Sequence, residues 1–183
     1  MYPEYFSSFL ELLTGSDISA LMTQLYVIVN APFSTPDILW TIFPLITTVI
    51  VIELYFGSHK DEILGWNSAT TNGLVLLWVG VNTVKSLIDS GGFDTALFKS
   101  QVALGIVALG LLLVMISFFH ILPREIAFFV SSSLVVHYLA FLAVIFVYTD
   151  IVFTDLTLFA ALLIFIALVV LFKLIKHLEP EIY

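Results

Sequence analysis

The sequence predicts an all-α integral membrane protein: a five-helix transmembrane bundle with an N-terminal interfacial or re-entrant helix. Three observations carry that prediction. Of the 183 residues, 61% are hydrophobic and only 11% are charged, with a mean hydropathy of +1.13, more apolar surface than a soluble domain of this size can hide. The charges leave long gaps, at residues 38–52, 63–84, 100–123, 126–149 and 156–172. These stretches are continuously apolar, without the alternation of barrel strands, so helices are the one way to pair their backbone groups in lipid.

Crossing a hydrocarbon core takes about 20 residues, and the last four gaps suffice as they stand. The first becomes long enough only if it runs through Glu53 to Gly57, which places an acid inside the span. The expected organisation is therefore an amphipathic N-terminal segment at 1–34, a transmembrane bundle at 35–179 with spans at about 38–57, 65–88, 96–122, 126–148 and 156–178, and a short tail at 180–183.

The N-terminal segment carries Glu4, Glu11 and Asp17 and no Lys or Arg, so it lacks the positive region of a cleavable signal peptide and is expected to be retained. Within it, Ile18 to Ala31 is apolar but interrupted by Gln24 and Asn30 and closed by Pro32. That length suits an interfacial or re-entrant helix, with a sixth crossing as the alternative. The first span opens on Thr35, Pro36 and Asp37, a capping hydroxyl followed by proline in the first turn, and Pro44 is expected to bend it. A polar turn from Ser58 to Glu62 reverses the chain. The second span ends at Gly91 and Gly92, and the third stops at Pro123. The fourth follows at once, making these two neighbouring antiparallel partners. The fifth starts after Thr154 and Asp155 and ends before Pro180; being almost purely apolar, it is expected at the periphery.

Cations set the expected orientation. With the C-terminus in the cytoplasm, Lys60, Arg124, Lys173 and Lys176 lie inside and only Lys85 and Lys99 outside, so the N-terminus faces out, in the cell membrane. Cysteine is absent, which excludes disulfides, thiol catalysis and thiolate metal sites. The net charge of −8 and six scattered Lys and Arg residues argue against a nucleic acid partner. The expected partners are membrane lipid and either further copies of the chain or other membrane subunits.

The second span carries the most specific pattern. Asn67, Thr71, Trp78, Asn82 and Lys85 recur along one side of a helix, while Ala69, Gly73 and Gly80 form another strip where a neighbouring backbone could come close. This helix is expected to be central, its polar side either lining a path for an ion or solute or bonding to adjacent helices. Glu53 is the ionisable group within a span, a proton or cation site if it clusters with Asn67 and Thr71, or an interfacial group if it pairs with His59 or Lys60. His137, near the middle of the fourth span, follows Ser133 by four residues, the spacing of a nucleophile and its base on one helix face. No Gly-x-Ser-x-Gly elbow or orienting acid accompanies them, so an intramembrane hydrolase is the weakest reading. The four histidines lie on different elements, so no metal or haem site is expected, and no cofactor. His120 beside Arg124 reads as an interfacial anchor. At the other face, Asn82, Lys85, Asp89, Lys99 and Gln101 are expected around the loop between the second and third spans.

The favoured reading is a non-enzymatic structural or accessory subunit of a membrane assembly or homo-oligomer. The alternative is a small ion, proton or solute channel or transporter lined by the second span.

Overall fold

A computed structural model describes residues 15–34, 36–59 and 65–178, with side chains from residue 18 onward. Residues 1–14, the expected cap Thr35, most of the polar turn (60–64) and the tail at 179–183 lie outside the described residues. Within them the protein is a bundle of α-helices without strands: α1 (Gly15–Asn30), α2 (Pro36–Ser58), α3 (Trp66–Asp89), α4 (Leu97–Phe118), α5 (Arg124–Val130), α6 (Ser133–Tyr148) and α7 (Asp155–Leu178), with a 3₁₀ turn at Ala31–Phe33. Five stretches are long and apolar enough to cross a membrane, α5 and α6 together forming one of them. It is a polytopic membrane protein.

The helix ends follow from residue chemistry. Pro36 opens α2 where its missing N–H is not needed, and Asp37 stands in the positive first turn. Asp155 begins α7, and Lys176 and His177 occupy its last turn, matching the helix dipole at both ends. At the end of α3 the chain turns through Gly91 at φ +68°, a conformation glycine adopts without a steric penalty. The third span is shorter than expected: α4 stops at Phe118 because His120 adopts φ +52°, which a helix cannot continue.

The fourth span differs more. The sequence reads as a single helix over 126–148, but Ser132 is extended, and the span is split into α5 and α6. Three consecutive serines favour side chain to backbone bonding over the helical ladder, and hydropathy conceals this. Non-helical backbone is tolerated at this depth only when protein surrounds it. Here Ser131 is fully buried, and the Asn72 side-chain amide donates to its carbonyl at 2.8 Å. Leaving a buried carbonyl unpaired costs on the order of 1–3 kcal/mol, so Asn72 supports the break from α3.

α6, not α3, is the centre of the bundle. It packs against α2, α3, α4 and α7, and Val136, Ala140, Val144 and Ile145 on it are completely covered. On one flank, α3 and α4 form the closest pair. Gly73 and Gly80 of α3 face the backbone of Val114 and Val107, and Gly110 of α4 faces that of Leu77, so the helices meet antiparallel at almost bare backbone. The small-residue strip of the second span does what its composition predicts. On the other flank are α2, α7 and α1. In α1, Leu21, Leu25 and Ile28 enter the core while Ile18, Met22, Tyr26 and Val29 stay exposed. Gln24 accepts a bond from Thr157 at the start of α7. At 16 residues, α1 is about 24 Å long, short of a full crossing. α7 covers little of its own surface, as expected of a peripheral span.

Candidate functional site: a lateral groove between two spans

α2 and α3 are consecutive in sequence but scarcely touch, because α6 lies behind and between them. The gap is a side-facing groove of about 770 Å³. Thr41, Pro44 and Leu45 of α2 form one wall, Thr71, Trp78 and Asn82 of α3 the other, and His137 and Tyr148 of α6 reach it from behind. Since α2 and α3 run in opposite directions, the start of α2, the end of α3 and the end of α6 share one membrane face, and Lys85, Ser86 and Asp89 close the groove there.

The polar stripe of α3 therefore faces outward. Asn67, Thr71 and Lys85 are exposed and Asn82 is half-buried, while Trp78 is 66% exposed and Trp40, across from it, 76%. Several of these polar groups are already satisfied. The Thr71 hydroxyl donates to the Asn67 carbonyl and the Thr41 hydroxyl to the Asp37 carbonyl, each at 2.9 Å, so the groove midsection makes little demand on an occupant. Lys85 is paired with Asp89, one turn on. The expected cluster around the loop does not include Lys99, which reaches Asp150 at 3.1 Å and ties α4 to the segment after α6.

Glu53 is on a different flank. Its carboxylate meets Lys176 of α7 at 2.6 Å, with side-chain exposures of 11% and 36%, and it is not joined to Asn67, Thr71 or His59. Sequence reasoning missed this partner because it is at the far end of the chain. The only signal was that Lys176 is a cation in the last turn of a span ending on the same membrane face. Asn72 was also missed, though it lies three residues after Ala69 on the side that faces inward.

His137 is 3% exposed. Its Nδ1 lies 2.8 Å from the Ser133 carbonyl and 3.3 Å from the Ser133 hydroxyl. A carbonyl only accepts, so Nδ1 carries the hydrogen and has no lone pair with which to activate Ser133. The remaining nitrogen, Nε2, is buried without a partner among the described residues. The two residues make a local side chain to backbone arrangement, not a nucleophile and base. The His120 ring packs tilted against Trp66, with centroids 4.1 Å apart, and Arg124 lies 5.3 Å from the Phe128 ring, an aromatic and cationic cluster at the opposite face of the bundle from Lys85. Among the described residues, no three of His, Cys, Asp or Glu converge as metal ligands.

No protein-family model matches the chain, and no curated protein or solved structure is significantly similar to it.

Proposed function

We propose that the protein is a non-enzymatic structural or accessory subunit of a membrane assembly or homo-oligomer. One arrangement supports this reading above others. The polar side of α3 opens laterally into the groove beside α2, while the ionisable Glu53 is engaged by Lys176 on the other side of α2. A conducting path would bring the ionisable group and the polar stripe to a common passage. A contact face needs only outward-facing polar and aromatic groups at membrane depth, where they meet a neighbour instead of water.

Mass measurement of the protein released in mild detergent tests the proposal. Retained copies or co-purifying subunits are expected; a bare monomer after gentle release from its native membrane overturns it. The second reading, transport, draws on the groove's extension from Asp89 inward to Thr71 and His137. Ion or proton flux in liposomes, altered by Asn82→Leu, would establish it in place of the first.

For orientation, Arg124, Lys173 and Lys176 share one face, and by the cation bias we place it in the cytoplasm of the cell membrane. The chain has no cysteine, so single substitutions report sidedness cleanly. In intact cells an impermeant maleimide is expected to label Ser90→Cys and not His177→Cys. The opposite pattern inverts the assignment.

A further inference from the structure

We propose that His137 is an acid-released latch: while neutral it holds α2 against α6 and keeps the groove apart from an apolar cavity on the far side of α2, and on taking a proton it lets the two join. Such a switch lies within the bundle and operates whether or not the chain has partners.

α2 has an open space on each side. Opposite the groove, α2, α6 and α7 border a second cavity of about 480 Å³, lined by Ile50, Phe141 and Leu168 among other apolar side chains. Leu45 and His137 line both spaces, so the partition between them is made at these two residues. They sit at matching depth: Leu45 is nine residues from the start of α2 and His137 eleven from the end of α6, on the order of 15 Å in from the same membrane face. α2 is weakest just there. Pro44 has no N–H to offer the Trp40 carbonyl, so the helical ladder lacks a rung beside Leu45.

The closed partition tolerates only a neutral ring. Nδ1 gives its hydrogen to the Ser133 carbonyl, and Nε2 is buried with no partner among the described residues. A proton on Nε2 would make a buried cation and a donor without an acceptor, which is costly on both counts. No acid facing it is free to offset the charge. Glu53 of α2 is engaged by Lys176 of α7, and the facing helices are otherwise bare at this depth: no titratable residue lies between Asp37 and Glu53 of α2, before Lys85 in α3, after Lys99 in α4 or between Asp155 and Lys173 of α7. Arg124 and Glu125 stand in the first turn of α5, and on α6 itself the Tyr138 hydroxyl already donates to the Ala161 carbonyl. Moving α2 off α6 opens Nε2 to the groove, which the Thr48 hydroxyl lines and which reaches the membrane face at Asp89, so the protonated ring favours the open arrangement.

Spin labels at Thr47→Cys on α2 and Leu111→Cys on α4, both exposed and in a chain otherwise free of cysteine, report the separation by pulsed electron resonance in detergent. Between about pH 7.5 and 5.5, where imidazole titrates and carboxylates stay ionised, a longer distance is expected to grow in, its ratio to the closed one rising up to about tenfold per pH unit, as one proton requires. His137→Gln is expected to hold the closed distance throughout, and Glu53→Gln to keep the response. An unchanged distance in the labelled protein, an equal response in His137→Gln, or a response lost in Glu53→Gln overturns the latch. If His137→Gln fails to fold, the chain carrying His59→Gln, His120→Gln and His177→Gln together decides: a response retained there supports the latch, and a response lost overturns it.

Discussion

Replacing Gly110 with leucine is expected to destabilise the bundle by about 3 kcal/mol, lowering the melting temperature in detergent by roughly 5–10 °C. A β-carbon at Gly110 would run into the backbone of Leu77, which no rotamer change can move aside. At Gly80 the obstacle is the Val107 amide nitrogen, 2.7 Å from where the new carbon would stand, and Gly80→Leu is expected to behave alike. The internal control is Gly105 on the same helix, which has open space where its side chain would be. Gly105→Leu should be neutral or stabilise by about 1 kcal/mol, since glycine is a poor helix former. If all three substitutions have the same effect, the close seam between α3 and α4 is not what holds the bundle, and helix propensity alone accounts for the result.

The second large effect is expected at the ion pair joining α2 to α7. Lys176→Met leaves the nearly buried Glu53 carboxylate unpaired and is expected to cost about 2 kcal/mol, between the values for a buried and an exposed pair because Lys176 is partly accessible. Glu53→Gln should cost about half of that, since Lys176 can extend toward water while the amide stays hydrogen-bonding. The double variant Glu53→Gln with Lys176→Met should then be more stable than Lys176→Met alone. Additive losses in thermal denaturation would mean that the two side chains act independently. Flux measurements on the same variants bear on the alternative function: under the subunit reading, none of them alters the passage of ions.

The spans were legible in the sequence because lipid is an exacting solvent. A charge-free run of sufficient length has no viable state but a helix, which is why α2, α3 and α7 lie within a residue or two of expectation. The strip of Ala69, Gly73 and Gly80 could be read for the same reason, since missing bulk permits close approach whatever the partner. What could not be read was which helices are neighbours. Consecutive spans usually pack together, yet α6 separates α2 from α3, and the polar stripe expected near the centre became the wall of an open groove. The partner of Glu53 was hidden by the same limitation: His59 and Lys60 are near in sequence, whereas Lys176 is near only after folding. The break at Ser131 and Ser132 was masked because serines flanked by Phe, Val and Leu still give an apolar average.

That break divides one crossing into two rods without a shared hydrogen-bond ladder. α5, whose Phe128 ring meets Trp66 edge-on at the membrane boundary, is therefore held to the rest of the bundle by side contacts and not by the α6 ladder. The linkage runs sideways instead, from Ser131 through the Asn72 amide into α3. The middle of the bundle and the helix walling its open flank thus share one polar joint, placed at the turn where the central crossing has no ladder of its own.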